Sequence, residues 1–389
     1  MIEEARIKRN LKIFAFPRLS GTIFELEAFN KLMQEIENLN LEYEIHPFTF
    51  SSFYSRLYPK IAFLSISLIL LLQYLNLRML FSMIFSLILI GIVIASVILT
   101  RHPEKIQFSP KFNSQNLLVK IKSTSNEIQN NDRILLFMSH LDSKGQRFKI
   151  KIRIRIIKCW IASSIILIVI IPLNNILFFR YTIIFYIIGV FPLTLNMLSS
   201  ISMLFNTTNN NSFGAIDNAS GITCNLELLH YYHLPENRLQ NYNIWFLFTG
   251  AEECGTMGIR HFYNNLKNFN KNKSIIFDFE SIDKYIFLFP GENEGDHAKD
   301  INNLLLNNKR NLPIRHYRTE RVLGTHSDGG FLGDRGFQGF GIGGGETYAY
   351  MHTPNDTVDK IDTTILEKLC LVLTDSLKMH DSTFFKKIC

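Results

Sequence analysis

Five short segments of this chain carry side chains whose types and spacing could hold cations and move protons. Ser139-His140-Leu141-Asp142 follows the apolar run RILLFM and sets an imidazole and a carboxylate two residues apart. In an extended segment both face the same way, so Asp142 can reach the imidazole and fix its orientation, although a His at a strand end is also commonly structural. Gly214-Ala215-Ile216-Asp217-Asn218-Ala219-Ser220-Gly221 is a polar turn leading into a helix. Asp217 there is either a helix cap or a carboxylate whose two oxygens can bridge two cations. Ala251-Glu252-Glu253 follows the strongly apolar YNIWFLFTG, where two ionised carboxylates repel unless a cation or a shared proton compensates. Asp278 stands inside SIIFDF, where an unpaired charge is expensive; the alternative is a buried acid paired with Arg or Lys. His352 lies in the polar loop 351–357 after a Gly-rich stretch and reads equally well as a solvated loop residue.

The elements that must position these groups are short apolar runs alternating with helical spacing. RILLFM, YNIWFLFTG, SIIFDF, YIFLFPG and FGIGGG are bounded by turn residues, as expected of strands buried on both faces. Residues 25–39, 219–233, 300–308 and 363–380 have helical periodicity. This alternation predicts an α/β fold with a mostly parallel sheet covered on both sides, whose reactive groups gather at the carboxyl ends of the strands.

Two apolar blocks interrupt this pattern, at 61–100 and at about 156–205. At roughly 20 residues per span, each is long enough for a pair of transmembrane helices. The first block turns at Asn76 and Arg78, the second around Pro172, Asn174, Asn175 and Arg180. Four spans are expected, with 61–75 short enough to be re-entrant. The chain then divides into soluble parts at 1–58, 102–148 and 207–389 and transmembrane hairpins at 59–101 and 149–206. Because the chemical motifs lie before, between and after the hairpins, each hairpin must cross an even number of times, leaving all soluble parts on one face.

The chain has 389 residues, 47% of them apolar, which excludes a disordered protein and suits one large domain plus a smaller module. Its net charge of +7 clusters beside the apolar blocks, with no nucleic-acid signature, so a lipid bilayer rather than nucleic acid is the expected partner. Arg56, Lys60, Arg101, Lys105, Lys149, Lys151, Arg153, Arg155 and Lys158 flank the spans on the side of the chemical motifs, against Arg78 and Arg180 in the opposite turns. This distribution predicts a cytoplasmic orientation for that side. The opening MIEEARIKRN lacks the apolar core of a signal peptide, and the five cysteines include no C-x-x-C pair, which disfavours a disulfide framework or a thiolate metal site. Asn206-Thr207-Thr208, Asn210-Asn211-Ser212 and Asn218-Ala219-Ser220 fit glycosylation tripeptides and pull towards an exterior orientation.

Taken in order, HLDS, GAIDNASG, GAEECGTMG, FDFES, THSDGGF and HTPNDTVDKID resemble the co-catalytic zinc aminopeptidase family, the M28-type metallopeptidases, whose relatives include glutaminyl cyclases and transferrin-receptor-like non-enzymes. The resemblance covers PRLSGTIFELEAFNKLMQEI near the N-terminus, residues near 106–147, and nearly everything from 213 to about 380. It implies a three-layer α/β/α domain with a mixed, mostly parallel central sheet. It also implies two zinc ions per chain, with cobalt or manganese compatible with the carboxylates. Asp217 would bridge, His140 and Asp278 would hold one zinc, and Glu253 and His352 the other. Glu252 becomes the general base and Asp142 the partner of His140, for removal of N-terminal residues from peptides by activated water. The long insertions depart from soluble relatives, and Gly329 stands where many have His, which leaves the roles of His326 and Asp328 open. Tyr348, Tyr350 and Phe331 are candidates for a side-chain pocket or for core. A glutaminyl-cyclase-like transferase working with one zinc, and a non-catalytic receptor or scaffold, are the alternatives. A transporter is disfavoured because the spans lack ionisable residues within them.

Overall fold

The computed structural model describes all residues except 76–78, 109, 126–132, 178–181, 292–294, 317–326, 346 and 387–389. The chain forms two compact units. The first comprises Met1–Phe50, Phe112–Gly145 and Asn209–Cys389; the second comprises Ser51–Lys111 and Gln146–Thr208.

The first unit is built on an eight-stranded sheet in the order β1-β2-β6-β3-β7-β10-β8-β9. Its strands are β1 (Glu44–Ser51), β2 (Lys111–Ile121), β3 (Ile134–His140), β6 (Asn243–Thr249), β7 (Ile275–Glu280), β8 (Ile286–Pro290), β9 (Ile314–His316) and β10 (Gln338–Gly343). A separate two-residue pair, β4 (Gly145–Gln146) with β5 (Thr208–Asn209), lies where the chain passes between units. The central strands β6, β3, β7 and β10 run parallel, while β2 and β8 are antiparallel to their neighbours β6 and β10.

The period of two along each strand sorts side chains to opposite faces. Leu135, Phe137, Phe246, Phe277 and Phe279 pack on one side with α1 (Glu4–Phe14), α2 (Ile23–Glu37), α7 (Ser220–Tyr232), α9 (Asp296–Leu306) and α11 (Thr363–Lys386). Leu136, Met138, Leu247 and Ile276 pack on the other with α8 (Met257–Leu266) and α10 (Asp328–Gly333). The result is the three-layer α/β/α arrangement expected, with both faces covered. Sequence periodicity had passed over β1, β2, α1 and α8. β1 and β2 carry charged and polar residues on their exposed positions, so neither reads as a continuous apolar run. Helix α1 is pinned to α7 by Arg6, whose guanidinium makes bonds of 2.7 and 2.6 Å to the Glu227 carboxylate.

The second unit contains α3 (Tyr58–Leu75), α4 (Met79–Thr100), α5 (Ile150–Leu177) and α6 (Thr182–Leu204). Among the described residues, four helices are long and apolar enough to cross a membrane. The unit turns apolar side chains outward, with Leu87, Ile187 and Phe191 65%, 68% and 74% exposed. Its polar groups point inward. Asn196 of α6, fully buried, donates to Ser163 Oγ at 3.1 Å and Ser164 Oγ at 2.8 Å on α5, and accepts from Ser67 Oγ of α3 at 2.5 Å. Trp160 Nε1 also donates to Ser67 Oγ at 2.9 Å. The helices of this unit are thus apolar outside and joined by hydrogen-bonded polar groups inside.

One sequence expectation is corrected here. Helix α5 runs through Pro172, Asn174 and Asn175 and ends at Leu177, so these three residues are helical, while Arg180, the other residue of the expected turn, lies outside the described residues. Proline removes one hydrogen bond from a helix without forbidding the residues that follow from staying helical, and α5 continues past it to Leu177. Arg78, Arg180 and His326, invoked for the spans and the pocket, lie outside the described residues.

Candidate metal centre

Because β6, β3, β7 and β10 are parallel, their carboxyl ends share one edge, and the residues that follow them converge there. His140 is the last residue of β3 and pairs in register with Thr249 of β6, just ahead of Glu252 and Glu253. Asp217 arrives from the turn 215–219 before α7, and His352 from the loop after β10.

Two groups of ligand atoms meet at this edge: His140, Asp217 and Glu280 in one, Asp217, Glu253 and His352 in the other. Asp217 belongs to both. Its Oδ1 lies 3.2 Å from His140 Nε2 and its Oδ2 lies 3.2 Å from His352 Nε2. Glu253 Oε1 is 2.8 Å from His352 Nε2, and Glu280 Oε2 is 3.5 Å from His140 Nε2. All these side chains except Glu280 are more than nine-tenths buried or nearly so, and Glu280 Oε1, itself buried, has no hydrogen-bond partner. Two imidazoles and three carboxylates, with an orphaned carboxylate oxygen among them, fit two divalent cations sharing Asp217.

Asp278 lies outside both groups, and Glu280 stands where Asp278 was expected. The reason is strand register. Asp278 is paired with Met138, two residues short of His140, so the next residue on the same face of β7, Glu280, comes level with the imidazole. The Asp278 carboxylate instead accepts a 2.6 Å bond from Gly329 N–H. A Cβ at position 329 would sit 2.7 Å from that carboxylate, so a side chain there is incompatible with this contact. Asp328 is buried beside it and bonds Thr249 Oγ1.

Asp142 does less for the imidazole than expected and more for the neighbouring turn. His140 Nδ1 is 3.1 Å from the Asp142 main-chain oxygen and 3.5 Å from its Oδ1. The Asp142 carboxylate accepts 3.0 Å bonds from both Glu252 N–H and Glu253 N–H, so it ties the β3 loop to the turn carrying the paired acids. Lys144 Nζ lies 2.5 Å from Glu253 Oε2 and supplies a cation that sequence reasoning passed over. Asp356, present in a quoted motif without a role, accepts from Ile216 N–H at 2.6 Å and Asp217 N–H at 3.2 Å, and so sets the Asp217 turn.

The electrostatics are those of crowded buried acids around two imidazoles. Burial, together with Glu280, Glu253 and Asp328 and against the opposing pull of His140, pushes the Glu252 carboxyl well above its ordinary range. Burial and Asp278 push Glu280 up to about 8. For Asp217 the cost of burial is more than offset by hydrogen bonds to His140 and His352, which hold it well below its ordinary value. Acids on neighbouring strand ends with such opposed tendencies are characteristic of functional sites. Backbone strain gathers here too. Ala251, Ser281 and His352 have φ of 52°, 52° and 61°, a region costing non-glycine residues about 1 kcal/mol or more, and each adjoins or is a site residue.

The aromatic pocket candidates divide. Tyr348 is 50% exposed, whereas Phe331 is buried in the second core cluster and Tyr350 packs against the first. Asn218 is fully buried and its Nδ2 donates to Phe279 O at 2.7 Å, so that tripeptide is closed to glycosylation in the folded chain.

A parallel-centred α/β/α domain with two adjoining metal-ligand groups that share one carboxylate defines the class. The model of peptidase family M28 matches residues 195–375, a little under half of the chain. No curated protein matches it. Among solved structures, an aminopeptidase from Aneurinibacillus sp. strain AM-1 is 13% identical, with a TM-score of 0.58 over 97% of this chain and 93% of that one. BSAP, a zinc aminopeptidase from Bacillus subtilis, is 11% identical with a TM-score of 0.56 over 97% and 95%. A glutaminyl cyclase from Fimbriiglobus ruber is 12% identical with a TM-score of 0.50 over 97% and 95%. At these identities the likeness is one of fold.

Proposed function

We propose that this protein is a membrane-embedded, zinc-dependent aminopeptidase. The observation that carries the reading is the pair of ligand groups joined through Asp217. His140, Asp217 and Glu280 would hold one ion; Asp217, Glu253 and His352 would hold the other. Bound zinc would supply Lewis acidity and a water of lowered pKa. Glu252, at the same edge and with its main chain fixed by Asp142, accepts the proton of the attacking water on its carboxylate and returns it to the leaving amine. Asp278 acts behind the site, through Gly329, and not as a ligand.

Aminopeptidase action is favoured by the match of residues 195–375 to the model of peptidase family M28 and by the two bacterial aminopeptidases that share the fold. The single-zinc cyclase reading is disfavoured because the His140 group is as complete as the His352 group. The second unit serves as the membrane module, four apolar helices carried as two hairpins with the peptidase unit on the cytoplasmic face. The decisive experiment is digestion of a mixed peptide library by the full-length protein in detergent, with and without added zinc. Zinc-dependent stepwise loss of N-terminal residues in the mass spectrum is expected; internal cleavage alone, or conversion of N-terminal glutamine to its cyclic form, would sink the assignment.

A further inference from the structure

The three loops that converge on the metal centre are joined to one another in part by Asp142, and each is also held by one segment far away in sequence, residues 18–25. Arg18 is fully buried and spends its guanidinium on main-chain carbonyls. Its Nε donates to Leu141 O at 2.7 Å, and its terminal nitrogens donate to Phe14 O, to Phe16 O at 2.7 Å, to Phe213 O at 3.0 Å and to Gly214 O at 3.1 Å. Leu141 adjoins His140, and Gly214 opens the turn to Asp217. Gly214 has φ 58°, and a Cβ there would come within 2.5 Å of Ser143 Cβ and 3.0 Å of Arg18 Nη2, so the two loops close on Arg18 only because the residue is glycine.

The same segment reaches the third loop. Ser20 Oγ donates to Asp142 Oδ2, the oxygen that also receives Glu253 N–H. Glu25, 2% exposed, accepts from Ala251 N–H at 2.9 Å, from Ser114 Oγ at 2.9 Å and from Gly21 N–H at 2.7 Å. Ala251 is the left-handed residue that turns Glu252 and Glu253 towards the site. Arg18 N–H donates to Ser143 Oγ and Ser143 N–H donates to Arg18 O, both at 2.9 Å, which completes the attachment.

We infer that residues 18–25 form a clasp in which Arg18, Ser20 and Glu25 are positioning residues, setting the mutual placement of the loops that carry His140, Asp217 and Glu252-Glu253. Arg18 fixes the His140 loop against the Asp217 turn. Ser20 and Glu25 fix the Glu252-Glu253 turn against both. None makes a hydrogen bond to a ligand atom; each acts by holding the main chain or the Asp142 carboxylate that places the ligands. The inference rests on the metal-site reading above and adds to it which remote residues govern metal retention.

The test uses full-length, zinc-loaded protein with Glu25→Ala, Glu25→Gln and Ser20→Ala. Zinc transfer to a chromogenic chelator is measured alongside kcat and KM on an aminoacyl p-nitroanilide. Glu25→Ala should release zinc on the order of 10–100-fold faster and lose a similar factor in kcat, with KM nearly unchanged. Gln at position 25 keeps the oxygen facing Ala251 and forfeits only the Gly21 bond, so it should recover most of the loss. Zinc release and kcat of Glu25→Ala both within about threefold of the parent would overturn the clasp, because a positioning partner is worth tenfold or more. Should Glu25→Ala fail to fold, Ser20→Ala decides, with faster zinc release expected and unchanged release refuting it. A parent protein that retains zinc but cleaves no substrate defeats the aminopeptidase reading alone, since the chelator measurement still reads the clasp.

Discussion

Replacing Glu280 with Gln should strip one zinc position, whereas replacing Asp278 with Asn should leave both. Glu280 Oε2 faces His140 at 3.5 Å and its other oxygen has no partner, so the Gln variant removes a charged donor without leaving any protein group unsatisfied. It also relieves repulsion with Asp278 and Asp217, so the metal-free fold should be no less stable. Outer-layer partners cost about 10–100-fold in metal affinity, and a ligand should cost at least the upper figure. At saturating zinc, a hundredfold weaker site forfeits about 2.7 kcal/mol of metal-dependent stabilisation. For a domain of this size that is a melting-temperature loss of roughly 5–10 °C, seen only with zinc present. Asn at position 278 keeps an oxygen for Gly329 N–H and loses about 1 kcal/mol as a charge-assisted bond becomes a neutral one, with or without zinc. Thermal melts with and without zinc, together with metal counting by mass spectrometry, separate the two variants. One zinc per chain in Asp278→Asn and two in Glu280→Gln would show the register argument to be wrong.

Glu252→Gln should keep both zincs and lose turnover, and near-normal hydrolysis by that variant with zinc bound would remove Glu252 from the proton-transfer role. Arg6→Ala leaves the fully buried Glu227 carboxylate without its charge partner and should cost about 3 kcal/mol in denaturant unfolding of the first unit. His230, its pKa lowered to about 3 by burial and by Arg6 and neighbouring cations, stays neutral in the fold while the unfolded chain takes up a proton below about 6.5. Stability should therefore fall as pH drops below 6.5, by about 1 kcal/mol near pH 5.5 after allowing for the ring's partial exposure. Unfolding midpoints against pH should flatten in His230→Phe. Asn196→Ala should loosen the apolar helix unit by roughly 1 kcal/mol, read as lower resistance to detergent unfolding; an unchanged midpoint would mean the buried amide contributes no net stability.

The chain's own order of residues determined a great deal. Apolar runs ending in His140, Glu252-Glu253 and the FDFES segment marked strand ends with chemistry on them, because burial of a strand on both faces enforces an unbroken apolar signal up to the edge. Two long apolar blocks marked the helices of the second unit, because an apolar run of about 20 residues is long enough to form a single membrane-length helix. Tertiary structure decided what depended on distance between strands. The choice of Glu280 over Asp278 turns on the register of β7 against β3, and two acids on the same face of one strand are indistinguishable until that register is known. The role of Asp142 turned on where the Glu252 main chain lies, and the work of Arg18 and Glu25 on loops that are between 123 and 226 residues away along the chain. Local sequence encodes periodicity and caps; a side chain that holds a distant loop by its main-chain carbonyls or amides leaves no periodic trace, and only the folded chain brings donor and acceptor together.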